Sequence, residues 1–274
     1  MLRTPAVAHQ FYPGEAGELR KMLDRLVPGG PDGVDPKPAQ AVVMPHAGYI
    51  YSGGVAGETV SRVAVPEDVI VLGPNHHGLG APAALMAEGG WRMPLGEVPI
   101  NGELAGIIRR HCPEIKVDER AHQAEHSLEV LVPFLQYRQP RLKIVPLCLA
   151  RLSLADCQLI GRALAASIQD YARDFNRPVL LAASTDMTHF ESRQSASAKD
   201  RQAIDRVLAL DPEGLYQTVV EQQISMCGVL PTVITLIAAL AAGAGQAELV
   251  RYSDSGEASG DTNHVVGYAG FIIR

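Results

Sequence analysis

The sequence predicts a single α/β domain built on a largely parallel sheet, on three observations. Strand-like and helix-like segments alternate along all 274 residues, which is the pattern of helices packed on both faces of one sheet. Several apolar runs are short and do not alternate with polar residues, as strands buried on both faces do not. Three of these runs stop at histidine: AVVMPHAGY delivers His46, VIVLGPNHHG delivers His76 and His77, and VLLAASTDMTHF delivers Asp186 and His189. If the runs are neighbouring parallel strands, their polar tips share one edge of the sheet, where the connecting loops of an α/β fold form a ligand crevice.

The elements follow in order. Leu19, Met22, Leu23 and Leu26 lie at helical spacing and predict a helix from Glu15 to Val27. The stretch from Pro28 to Pro38, rich in Pro, Gly and Asp, reads as a loop. Strand Ala41 to Met44, helix Val55 to Val63, strand Asp68 to Leu72 and a strand at Ala83 to Ala87 come next. Helices follow at Gly102 to Arg110 and Ser127 to Tyr137, the second expected to kink or break at Pro133, then strand Leu142 to Leu147 and a long helix from Leu154 to Arg173. Strand Val179 to Ala183 precedes helices at Ala196 to Leu210, Pro212 to Gln222 and Leu230 to Ala241. Strands Glu248 to Tyr252 and His264 to Ile273 close the chain. No repeat or shift in composition marks a boundary, so residues 1–274 read as one domain.

Composition narrows the function. Net charge is −6, and no block of consecutive Lys or Arg occurs, which argues against nucleic acid as a partner. Hydrophobic residues at 47% and a mean hydropathy of +0.05 are those of a globular chain. The apolar stretch Val229 to Ala242 spans 14 residues, short of the roughly 20 a membrane helix needs, and reads as a core helix. Four cysteines without a CxxC pair, and a start lacking the apolar segment of a signal peptide, lead to the expectation of a reducing cytoplasm.

His46 and His76 are thirty residues apart, the length of a strand-helix-strand crossover that sets two tips side by side. Neutral imidazole is a good ligand for divalent metals and a good general base. Of the adjacent pair, His76 is the expected ligand and His77 the residue turned to substrate, because neighbours point in different directions. Gly48, Gly53 and Gly54 allow a sharp turn, and Ser52 with Gly53 just before the next helix would favour an anionic group. Cys227 sits just ahead of a helix with Pro231 in its first turn, where the helix dipole lowers a thiol pKa. Asp186 and His189 are spaced so that the carboxylate can orient the ring as a base. Glu125, His126 and Glu129 can share one helical face, for which a solvated charged surface is the preferred explanation on pattern alone.

Taken together, PHAGYIYSG, LGPNHHG, EHSLEVLVPFLQ, STDMTHF, the CG of MCG, and YSDSGEASGD followed by VVGYAG resemble the Memo family, including its members called AmmeMemoRadiSam system protein B, from RTPAVAHQFYPGE to the last strand. The resemblance implies a three-layer α/β/α fold with a central, mostly parallel mixed sheet, similar to class III extradiol dioxygenases, which hold non-haem iron. It implies a metal site of His46, His76 and Cys227, with Asp186 and His189 adjacent and Tyr49, Ser52, Gly53 and His77 on the substrate side. Cys stands where the dioxygenases place Glu, so copper or zinc join iron(II), the favoured ion. His9 stands where relatives of the form AVAGQFYP have Gly, and Val229-Leu230 replaces the Arg-His pair that follows CG in animal members.

The expected function is that of a metal-dependent, dioxygenase-like oxidoreductase on a small molecule, with His189 and Asp186 moving protons and His126 or Glu125 touching substrate. Two alternatives stand beside it: a metal-free hydrolase with Cys227 as nucleophile, and a non-enzymatic iron- or copper-binding protein or adaptor. The resemblance also implies radical-SAM and AMMECR-type proteins as partners.

Overall fold

The computed structural model describes residues 1–274. After β1 (Leu2–Arg3) and α1 (Ala16–Leu26), the chain forms β2 (Ala41–Met44), α2 (Tyr49–Ser61), β3 (Asp68–Pro74) and β4 (Ala83–Leu85). A hairpin of β5 (Gly90–Met93) and β6 (Gly96–Pro99) leads to α3 (Gly102–His111), β7 (Lys116–Val117) and α4 (Val132–Arg138). The second half runs through β8 (Lys143–Leu149), α5 (Leu154–Phe175), β9 (Val179–Ser184), β10 (His189–Glu191), α6 (Arg193–Leu208), α7 (Pro212–Glu221) and α8 (Val229–Ala241). It ends with β11 (Ala247–Asp254), the short α9 (Gly256–Ser259) and β12 (Val265–Ile273).

Nine strands form one mixed sheet in the order β10-β12-β2-β9-β3-β8-β4-β7, with β11 also paired to β12. Its centre, β2-β9-β3-β8, is parallel, and β12 and β4 flank it antiparallel. The three-layer arrangement follows from side-chain alternation. Ala41, Val43, Ile70, Leu72, Leu181 and Ala183 face one core with Leu104 of α3, Leu164 of α5, Val207 of α6 and Ile234 of α8. Val42, Met44, Val69, Val71, Leu180 and Ala182 face the other, with Leu19 of α1, Val60 of α2, Leu135 of α4 and Trp91 of the hairpin. Strands covered on both faces read as near-continuous apolar runs, and β2, β3 and β9 do, apart from Asp68 at the start of β3 and Ser184 at the end of β9.

Four sequence expectations need correction. β2 and β3 are not neighbours, because β9 inserts between them and pairs with both. The crossover length was compatible with adjacency but leaves room for a strand supplied from elsewhere in the chain. Helix α2 begins at Tyr49, not Val55, so Ser52, Gly53 and Gly54 lie within it rather than in a loop ahead of it. Gly53 is there for packing: a Cβ would stand 2.8 Å from Leu26 Cδ1 of α1. Pro133 does not break a helix but occupies the first turn of α4, where its missing N–H costs nothing. The residues before it are a 3₁₀ turn, Glu129–Leu131, preceded by irregular chain. His9, where relatives were expected to carry Gly, has φ 67°, a left-handed backbone that glycine adopts without strain.

α1 and α2 meet through Gly57, whose added Cβ would lie 2.0 Å from the Leu26 carbonyl oxygen. A backbone atom cannot swing aside, so the helices must separate. Gly57→Ala is expected to lower unfolding free energy by about 1–3 kcal/mol in denaturant titration, despite alanine's better helix propensity.

Candidate metal centre

The tips of β2, β9 and β3 bring the candidate residues to one edge of the sheet. His46 follows β2 and is buried, its backbone N–H donating to Asp186 Oδ1 (2.8 Å) beyond the neighbouring tip of β9. Its Nδ1 lies 2.8 Å from Ser184 Oγ, and the single hydroxyl proton of Ser184 goes to the Ser127 carbonyl (2.6 Å). Nδ1 must therefore donate, which leaves an unprotonated Nε2 as a free lone pair. Burial, then the neighbouring His76 and His126, holds the His46 pKa well below the usual histidine range, so the ring is neutral.

His76, just past β3, is set by a different partner. Its Nδ1 and its backbone N–H donate to the two oxygens of Glu125 at 2.8 and 2.6 Å. Glu125 is itself buried and accepts the backbone N–H groups of His126 (3.0 Å) and Ser127 (2.9 Å). Burial alone would raise its pKa, but these bonds and the His76 ring bring it down to about 2. An ionised acceptor fixes His76 with the proton on Nδ1 and Nε2 free.

His126 completes the group. One ligand atom each from His46, His76 and His126 lies within 4.8 Å of the others. The rings of His76 and His126 stack at 4.7 Å between centroids, and His46 meets both edge-on. Phe11 covers the other side of His126 at 4.9 Å. The structure thus gathers His126 with the two expected histidines. The expected ligand Cys227 lies beside them: its Sγ is 3.4 Å from His46 Nε2 and accepts the Asp186 backbone N–H (3.2 Å). Gly228 allows this approach, since a Cβ there would stand 2.2 Å from the Ser184 carbonyl oxygen.

The anticipated low thiol pKa is not found. Burial first, and the Asp186 carboxylate second, push the Cys227 pKa up, outweighing the helix end. Burial likewise raises the Asp186 pKa above the usual carboxylate range. His189, expected to be oriented by Asp186, instead donates its backbone N–H to Ser225 Oγ (2.7 Å) and its Nδ1–H to the Ser225 carbonyl (2.9 Å). His77 is exposed and is not one of the three gathered histidines.

Other substrate-side candidates are structural. Tyr49 is buried between the rings of Tyr12 and Phe134, and its hydroxyl donates to the Val130 carbonyl (2.8 Å). Ser52 bonds the Ala47 carbonyl (3.0 Å) inside α2, and Gly53 packs on α1. Glu125 is spent on His76 and backbone amides, which leaves no oxygen for substrate. Nor do Glu125 and Glu129 form a solvated face. Glu129 is fully buried, paired with Arg3 (2.7 Å) and accepting from Ala6 N, Val7 N and Tyr12 Oη. Sequence reasoning had no role for Ser184 or Arg3; the serine at the end of an otherwise apolar strand was the only available signal for the first.

A profile described as Memo-like protein matches residues 3–272. The chain belongs to the Memo family. A MEMO1 family protein of Methanopyrus kandleri is 45% identical over 285 residues, covering 100% of this chain and 99% of its own. One from Aquifex aeolicus is 40% identical over 276 residues, covering 99% of each. Among solved structures, an uncharacterized protein from Escherichia coli K12 matches with a TM-score of 0.51 over 84% of this chain and 98% of its own, at 15% identity, a likeness of fold. No helix of this Memo-family chain is long and apolar enough to cross a membrane.

The loop that carries the third histidine also carries a buried one. His122 donates Nε2–H to the Ala84 carbonyl (3.0 Å), and burial, then Arg3, lowers its pKa to about 4. Folding therefore excludes a proton that the unfolded chain binds between pH 6.5 and 4. The stability this supplies is present above pH 6.5 and lost as pH falls through that window. Wild type is expected to lose about 3 kcal/mol more than His122→Asn between pH 7 and 4, read by denaturant titration at each pH.

Proposed function

We propose that this Memo-family protein is a metal-dependent oxidoreductase that acts on a small molecule at the carboxyl edge of its sheet, with iron(II) as the favoured ion. The observation that carries the reading is the pair His46 and His76, each held through Nδ1 by its own buried acceptor so that Nε2 is the atom left for a ligand, with His126 in the same group. Imidazoles of this kind suit iron, copper and zinc. The donors fit such an ion, and His46, His76 and His126 would hold it. Cys227, outside that group but with Sγ 3.4 Å from His46 Nε2, would be a further ligand. When bound, the ion supplies Lewis acidity and, as iron or copper, one-electron redox chemistry.

The chain's own residues supply the proton steps. Asp186, whose pKa burial raises above the usual carboxylate range, is the carboxyl placed beside His46 to hold or release a proton. His189, held through Nδ1 by Ser225, accepts at Nε2. Phe11 over His126 excludes water from one side. The raised thiol pKa speaks against the nucleophile reading, which needs an accessible thiolate at neutral pH.

Anaerobic loading with iron(II) and metal analysis test the proposal. One ion per chain is expected in wild type, none in His76→Ala, and about 10- to 100-fold weaker binding in Glu125→Gln. A spectral change on adding nitric oxide reports an open coordination position, as an enzyme requires; an iron-loaded protein insensitive to it is a metal holder and not an oxidoreductase. Cobalt(II)-loaded wild type should show a thiolate charge-transfer band that Cys227→Ser lacks. If both forms share one spectrum, sulfur is not a ligand.

A further inference from the structure

We propose that Arg3, in the second residue pair of the chain, is a positioning residue for the metal centre, acting through the loop from His122 to Glu129. Its buried guanidinium reaches three points of that loop at once. Nε donates to the His122 carbonyl (2.6 Å), Nη2 to the Glu125 carbonyl (2.7 Å), and Nη1 pairs with the Glu129 carboxylate (2.7 Å). The plane lies over the Trp91 ring at 4.3 Å.

The residues between these anchors are the ones the site needs. Glu125 fixes the His76 proton on Nδ1, His126 is the third imidazole, and the Ser127 carbonyl takes the hydroxyl proton of Ser184. The segment from Gln123 to Ser127 is neither helix nor strand, and its backbone bonds lie at its ends, from Gln123 N–H to the Arg120 carbonyl and from Val130 N–H to the His126 carbonyl, leaving Glu125 without one. Something else must fix the Glu125 backbone, and Arg3 bonds its carbonyl directly. A rigid fork with donors in several directions suits this geometry; a lysine ammonium can keep the Glu129 pair but cannot span both carbonyls or stack on Trp91. The segment that Arg3 begins also closes the site, because Glu129 takes Ala6 N, Val7 N and Tyr12 Oη, and Phe11 beyond them covers His126.

The test separates positioning from bulk stability and does not require the metal reading to hold. Histidine tautomers are read by nitrogen-15 NMR in metal-free wild type, Arg3→Lys, Arg3→Ala, and Leu23→Ala as a core variant of α1 that removes no bond to the loop. Wild type and Leu23→Ala should show His76 protonated on Nδ1 alone. In Arg3→Lys, His76 should become a mixture of both tautomers. In Arg3→Ala, millimolar methylguanidine should restore the wild-type tautomer. Iron(II) affinity should fall about tenfold in Arg3→Lys and not in Leu23→Ala. An unchanged His76 in Arg3→Lys overturns the proposal, as does an equal change in Leu23→Ala. If His76 responds as expected while no variant and no wild type binds iron, the metal reading fails and the positioning role stands.

Discussion

A histidine can serve a metal or move a proton only if the protein decides which ring nitrogen carries the hydrogen. Here that decision is made twice, by unlike groups. Ser184 at the tip of β9 has given its only proton to the Ser127 carbonyl and so can only accept from His46. Glu125, ionised and buried, can only accept from His76. Both acceptors are themselves tied to the irregular segment around residues 125 to 127. The orientation of two imidazoles on different strands therefore rests on one short stretch of chain that has no regular structure to support it.

That dependence accounts for the charged groups enclosed beside the site. Burying Arg3 and Glu129 carries a desolvation penalty that their mutual attraction need not repay. The arrangement is less wasteful once the extra bonds are counted. Glu129 satisfies three donors of the N-terminal segment besides Arg3, and Arg3 satisfies two loop carbonyls besides Glu129. Backbone groups that would otherwise be buried without partners are thereby paired. The first strand, too short to be held by its own ladder, is fixed to the middle of the chain by charge and hydrogen bonds.

The parts legible in the sequence were those with a local signal. β2, β3 and β9 were readable because runs of Val, Ile, Leu, Ala and Met describe strands covered on both faces, and the histidines beyond their ends marked the edge that matters. The start of α2 was not readable: Ser52, Gly53 and Gly54 look like a turn by propensity, yet helix packing against Leu26 demands small residues there. The β5-β6 hairpin was missed, although Trp91, Met93 and Val98 alternate with exposed Arg92 and Glu97. That β9 lies between β2 and β3 is a long-range pairing with no local mark. Glu125 and Glu129 were misjudged for a related reason, since carboxylates at helical spacing usually face water, and their buried partners lie at the other end of the chain or on another strand.

Cys227 shows why the ligand set resists a reading from either sequence or geometry alone. Its position before α8 suggested a stabilised thiolate, but the half-buried thiol sits next to Asp186, and both influences push its pKa up. A cation at His46 Nε2 reverses the balance, because a coordinating thiol is deprotonated outright. The same cation favours an ionised Asp186, whose pKa burial holds up. Entry of an ion would thus be coupled to release of the thiol proton. An affinity that keeps rising with pH above the range where imidazoles titrate is the behaviour expected when the sulfur takes part, and not when three imidazoles act alone.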